Sequence, residues 1–163
     1  MTIDEIIDFV QGLDGALALR PVAGDGSPEI SWGDVFFYYA PDGVVPQATQ
    51  PFATVVTKNY PGDESSRLER PDTFRVNVAV GKATFGDWTG RTPRESSGDD
   101  DPGVTDVVIA HPVHGAAAWL AVVNPGPRTD AAVRRLLRHA CDLARSRHER
   151  RARHERDRST PAR

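Results

Sequence analysis

Cysteine and lysine are nearly missing from this chain. A single cysteine, Cys141, excludes an internal disulfide and a multi-cysteine zinc site. Only Lys58 and Lys82 are lysines, against 18 arginines. With abundant Ala, Gly, Asp and Pro, that bias reads as the imprint of a GC-rich genome. No run approaches the ~18–20 apolar residues that a bilayer span needs, so no transmembrane helix and no membrane partner are expected. The start, Met1 to Glu5, is acidic and amphipathic, unlike a signal peptide, and the expected location is cytoplasmic. There is no G-x-G-x-x-G after a strand, no Walker-type loop, no G-x-S-x-G elbow and no H-E-x-x-H. No cofactor is therefore expected, and internal repeats are absent.

What is present is one domain's worth of chain: 163 residues, 39% hydrophobic, enough to fold around a single core. The net charge of −3 conceals an asymmetry. Residues 1–110 carry 8 Lys and Arg against 18 Asp and Glu, whereas residues 111–163 carry 12 Arg against 5 acids. The basic excess is concentrated after Arg145. Such a segment attracts nucleic acid, or is simply a solvated helix end.

Thr2 and Glu5 form an S/T-x-x-E capping box, and Ile3, Ile6, Ile7, Val10 and Leu13 share one helical face behind it. Gly12 or Gly15 ends that helix. Ala16 to Arg20 reads as a short strand stopped by Pro21. Val35 to Tyr39 is an aromatic run expected as a strand buried on both faces or nearly so, before a Pro41-Asp42-Gly43 turn. Phe52 to Lys58 is another strand, and Arg75 to Val80 alternates. Gly81 to Gly90 is a candidate short helix. Val107 to Ala110 and Ala117 to Val123 are strands. Thr129 is the expected cap of a last helix with the apolar stripe Val133, Leu136, Leu137, Ala140, Ala144. Consecutive strands with an amphipathic helix at each end predict an α+β fold: an antiparallel sheet with the N- and C-terminal helices packed on one face, in two layers. The expected domain is 1–147, with a mobile loop at about 91–104 and a basic tail, 148–163, disordered or helical in solvent.

Two constellations carry chemistry. The first is His111-Pro112-Val113-His114 with Trp119 on the next strand. Two histidines three apart converge on a metal if the chain turns between them, but no further ligand is in view, so no metal site is assigned. An imidazole is also the natural general base, which leaves a small His-dependent hydrolase or isomerase as an alternative. The second is Arg70-Pro71-Asp72-Thr73-Phe74-Arg75-Val76-Asn77. Strand alternation puts Arg75 and Asn77 on one face. If helices leave that face open, Arg75, Asn77 and Lys58 from another strand make a cationic concavity for a carboxylate or phosphate. The competing reading is a surface ion pair, Arg75 with Asp72 or Arg70 with Glu69. The triple Asp99-Asp100-Asp101 does not converge on a cation, and Cys141 reads as a small packed residue.

The segments Phe52 to Val56, Leu68 to Val78 and Ala110 to Gly115, with Trp119 and Val123-Asn124-Pro125-Gly126, resemble an actinobacterial family known as domain of unknown function 6194. The resemblance runs to about Arg147 and implies no activity. That family more usually has tyrosine at the position of His114, which implies that the second histidine is not a required ligand. More remotely, the element order and the late His…Trp strand are similar to the MmcQ/YjbR-like proteins, which implies a cytoplasmic antiparallel sheet layered on one side by helices. Those proteins are often described as DNA-binding, a role at odds with the acidic first two-thirds of this chain. The function expected is the binding of a small anionic ligand or a protein partner on the sheet face by Lys58, Arg70, Arg75, Asn77, His111, His114 and Trp119. The alternative partner is nucleic acid, held by the tail. Nothing in the sequence fixes an oligomeric state.

Overall fold

The computed structural model describes residues 1–95 and 98–159. Two residues of the loop expected at 91–104 and the last four of the tail lie outside the described residues. The order is α1 (Ile3–Gln11), β1 (Ala16–Leu19), β2 (Val35–Tyr39), β3 (Ala53–Val56), β4 (Arg75–Ala79), α2 (Gly81–Thr89), β5 (Ile109–Ala110), β6 (Trp119–Val123) and α3 (Asp130–Ser159). The strands form one six-stranded sheet, β1-β2-β3-β4-β6-β5, with every pair antiparallel. The fold is α+β. No helix among the described residues is long and apolar enough to cross a membrane.

Each terminal helix is placed by its apolar stripe. Thr2 caps α1 by accepting from the Glu5 amide while Glu5 reaches back to the Thr2 amide, and Gly12 closes the helix. Ile6 and Val10 of α1 and Val133, Leu136, Leu137, Ala140 and Cys141 of α3 pack with Val35, Phe37, Val55, Val76, Val78, Leu120 and Val122. Those strand positions all lie on one face, so both helices cover the same side. Leu137 is fully buried, and burial of such a side chain stabilises by ~1.5–3 kcal/mol. Burial also pushes the Cys141 thiol up, away from the reactive thiolate.

The opposite face departs from the sequence reading in two ways. Phe36 and Tyr38 are only half-buried, as are Leu17 and Leu19 across from them, so β2 is not buried on both sides. Over β4 and β6, by contrast, the segment 57–74 folds across the face and packs Leu68 and Tyr60 on Val56 and Val123.

Thr129 does not cap α3 with its own oxygen. Its hydroxyl donates to Asp106 (2.6 Å), and that one carboxylate also accepts from the amides of Gly126 (2.8 Å), Arg128 (3.1 Å) and Thr129 (3.0 Å). Burial works to raise the Asp106 carboxyl, but these hydrogen bonds outweigh it and hold it far below the usual carboxylate range. A charge from elsewhere in the chain thus holds the turn that leads into α3.

α3 continues past the apolar stripe without a break to Ser159. The boundary expected at Arg147 falls inside this helix. His148 meets the Tyr39 ring edge-on (5.4 Å between centroids) and Arg151 donates to Thr49 (2.9 Å). Beyond Ala152 the described residues are exposed.

Candidate functional site

The sequence grouped seven residues into one site. The structure distributes them over three environments. Arg75 and Asn77 share a sheet face, as alternation predicts, but they are 1% and 3% exposed and do not line an open concavity. The Arg75 stem runs between Val56 and Val123, its cross-strand neighbours, and the guanidinium meets internal partners. Asp63 takes a bidentate pair (2.9 and 2.5 Å), Ser66 Oγ accepts at 2.8 Å and Asn77 Oδ1 accepts from Nε at 2.7 Å. Asn77 in turn donates to Thr54 Oγ1 (3.0 Å). Four of the five guanidinium N–H groups are thereby used, and the fifth faces His111 Nε2 at 3.1 Å. Neither ion pair weighed from sequence, Arg75 with Asp72 or Arg70 with Glu69, forms among the described residues. The partner of Arg75 is Asp63, reached through the tight Tyr60–Asp63 turn, which the Asp63 amide closes on Tyr60 O (2.9 Å).

His111 extends β5 by one residue, its amide donating to Trp119 O (2.9 Å), and turns its ring onto this face against Arg75. His111 Nδ1 accepts from the amides of Val113 (3.0 Å) and His114 (2.9 Å), so the His-Pro-Val-His turn closes on its own first imidazole. Burial, and then the charge of Arg75, pushes this imidazole down to about 3. It is neutral at pH 7, and with Nδ1 accepting, its proton belongs on Nε2, so the approach to Arg75 Nη2 brings two donors together and is not a hydrogen bond. Burial opposes ionisation of Asp63 too, yet the hydrogen bonds and charge of Arg75 hold its carboxyl below the usual range. His111 is thus a buried structural group whose lone pair is already used, and no Ser, Thr or Cys side chain is bonded to its ring among the described residues. A general-base role for it has no geometric support.

His114 and Trp119 stand at the edge of this network. The two imidazoles are 4.7 Å apart between centroids, and the Trp119 ring is 6.5 Å from His114. His114 is exposed. Among the described residues no three His, Cys, Asp or Glu side chains gather as a metal set.

Lys58 leaves the sheet face altogether. Its Nζ donates to Trp32 O (2.8 Å) and to Asp34 Oδ1 (3.0 Å). Asp34 is fully buried and accepts as well from the Thr57 amide, the Thr57 hydroxyl and the Tyr60 hydroxyl. Burial, and then Asp34, raises the Tyr60 phenol. Arg70 spans two loops: Nε donates to Arg67 O (2.9 Å), and Nη2 to Ser66 O (3.1 Å) and Gly103 O (2.9 Å). Its Nη1 has no acceptor among the described residues. The loop that Arg70 grips is held further by Arg67–Asp101 (3.0 Å), and nearby Arg91 pairs with Asp100 (2.9 Å), so two of the three consecutive aspartates serve ion pairs.

Lys58 and Arg70 meet again as walls of one cleft of about 760 Å³. Its apolar side is Met1, Ile3, Leu68 and Phe74, and its polar side adds Asn59, Glu69 and Asp72. Asn59 ties the wall together, its Oδ1 accepting from the Leu68 amide (2.9 Å) while its Nδ2 donates to Glu69 (2.6 Å). That hydrogen bond lowers the Glu69 carboxyl. Asp72 sits at φ 53°, a left-handed conformation, and its carboxylate has no partner among the described residues. A second cleft, about 400 Å³, lies between α2 and α3 beside Trp88, Arg128 and Arg135.

Sequence reasoning missed Asp63, Ser66, Asp34 and the carboxylate half of the cleft. One signal was available: Pro61-Gly62 marks a tight turn that delivers Asp63 back toward β4.

No curated protein and no solved structure matches this chain. The sequence model of one family does, over residues 1–153: the stretch holding the cleft, the buried Arg75 network and most of α3 belongs to the family of unknown function DUF6194, and the chain is a member of it.

Proposed function

We propose that the protein is a ligand-binding domain whose site is the cleft between the start of α1 and the segment 57–74, where a small molecule with an anionic group is held by Arg70 and Lys58. The observation that carries this reading is that two of the cations singled out in the sequence line one cleft of about 760 Å³, in the size range of small-molecule sites. Arg70 keeps Nη1 unused there, and Lys58 has a third N–H beyond its two internal bonds. Leu68 and Phe74 offer the apolar contact that such sites combine with a few polar groups. Arg75 takes no part, because its donors are committed to the protein itself. We read the element order as that of the MmcQ/YjbR-like proteins, and the protein as cytoplasmic. The test is thermal unfolding of the full chain with hexanoate and with inorganic phosphate. At least one should raise the midpoint, and Arg70→Gln, if it still folds, should lose the shift. No shift with either anion, or an equal shift in the variant, would sink the reading.

A second reading rests on a separate observation, the continuous helix that presents Arg147, Arg150, Arg153 and Arg158 beyond the sheet. It is nucleic-acid binding through the tail. Electrophoretic shifts at low and physiological salt, with and without residues 148–163, decide it: a shift that persists after truncation, or none at low salt, rules it out.

A further inference from the structure

We infer that the ligand of the cleft is a zwitterion, a small molecule with a carboxylate and an ammonium on an apolar body, of which a dipeptide of apolar residues with free ends is one member. This rests on the reading of the cleft as the ligand site and adds the ligand's second charge. The cleft is lined by charges of both signs. Lys58 is matched internally by Asp34 at 3.0 Å, so its field at the cleft is largely cancelled. That leaves Arg70 as the side-chain cation without a carboxylate partner, in a lining that also holds Glu69, Asp72 and the Met1 amino group, which donates to Pro125 O (3.0 Å). Glu69 is held by Asn59 and stays ionised, and Asp72 has no internal partner among the described residues. A ligand with negative charge alone would gain Arg70 but meet two carboxylates, and like charges brought together oppose binding. A ligand with positive charge alone would leave the Arg70 donors unanswered. A zwitterion satisfies both. Its body has a place against Ile3, Leu68 and Phe74. A free amino acid would leave much of about 760 Å³ unfilled, which favours a body of two residues or similar size.

The experiment is calorimetric titration of the full chain at low ionic strength and pH 7 with leucyl-leucine, its N-acetyl form, its C-terminal amide, and hexanoate. Leucyl-leucine is expected to bind at least ~10-fold more tightly than either singly charged form. That factor corresponds to ~1.4 kcal/mol. Equal binding of the N-acetyl form overturns the zwitterion and leaves the anion site standing. Equal binding of the amide overturns both. Binding of hexanoate but of no peptide overturns the zwitterion alone, and binding of nothing overturns both. Asp72→Asn is a second arm, since asparagine tolerates the left-handed backbone there. It should bring the ratio between the free and N-acetyl peptides down severalfold, by weakening the free peptide and relieving the repulsion on the N-acetyl form. If neither Asp72→Asn nor Glu69→Gln alters that ratio, the carboxylates do not read the ligand and the inference fails.

Discussion

Arg70 and Arg75 flank the same short segment, and both hold Ser66, Arg70 by its carbonyl and Arg75 by its hydroxyl. They nonetheless do different work. Arg75 is a strand residue whose alternation turns it under the 57–74 segment, where a carboxylate, a hydroxyl and an amide oxygen answer four of its donors. Arg70 is a loop residue that bonds only to backbone carbonyls, carries no carboxylate partner and keeps one nitrogen unused. A cation that is buried and answered is architecture. One that is half-buried and partly unanswered is available to a ligand. Residue type, which the two share, does not separate them; the count of unanswered donors does.

The sharpest way to break this comparison is to remove Arg75. Arg75→Ala leaves the Asp63 carboxylate without its partner and empties space beneath the 57–74 segment. Urea unfolding should show a loss of ~3–5 kcal/mol, the cost typical of breaking a buried ion pair from one side. A loss below ~1 kcal/mol would mean that the network does not support the fold. Arg70→Gln removes three hydrogen bonds to carbonyls at a half-buried site, where water can answer the acceptors and no charge is left buried. It should therefore cost less stability than Arg75→Ala while losing the response to anions. If the two variants reverse that order, the assignment of architecture and site is reversed.

Acid should sharpen the contrast, because it acts on the buried network. His111 folds with its imidazole held down to about 3, so below its ordinary value near 6.5 the unfolded chain binds the proton that the folded chain refuses. Asp63 is held low by Arg75, so its contribution is present above the ordinary carboxylate value and is lost as pH falls through its depressed one. Both act in the same direction. The thermal midpoint should start to fall below pH ~6.5 and continue down into the carboxylate range. His111→Asn, whose Oδ1 can still take the Val113 and His114 amides, should flatten the upper part of that fall. An unchanged profile would show that the ring is not buried as a neutral group.

The smallest effect is expected from residues 148–163. The contacts of His148 with Tyr39 and Arg151 with Thr49 are peripheral, and exposed pairings on a helix contribute a few tenths of a kcal/mol each. Deleting the segment should move the thermal midpoint by no more than a few degrees. A large drop would mean that the Tyr39 end of the sheet depends on the helix above it.

The parts of the fold that were legible in the sequence are those fixed by local chemistry. The Thr2–Glu5 box, the alternation from Arg75 to Ala79 and the apolar stripe of α3 are each set by residues within a turn or two of one another. The candidate site was half legible for the same reason. Alternation puts Arg75 and Asn77 on one face, but whether that face is open depends on where the segment 57–74 lies. No periodicity encodes that. Asp63 finds Arg75, and Lys58 finds Asp34, through irregular loops, and a single sequence carries no term for such pairings. Thr129 looked like a cap because threonine usually is one at a helix start. The stronger acceptor came from Asp106, far back in the chain, and displaced it.

That aspartate has a consequence for hydrogen exchange. Amides at the first turn of a helix ordinarily trade their protons with solvent fast, since nothing in the helix accepts them. Here the amides of Gly126, Arg128 and Thr129, in the turn that leads into α3, are held by a single carboxylate. Their protection is therefore tied to the chain that enters β5, so these protons should exchange together, as one event, when the 104–108 segment lifts. Because the carboxyl stays ionised far into acid, that shared protection should outlast the acid loss of the His111 region, leaving the start of α3 among the last places in the molecule to open.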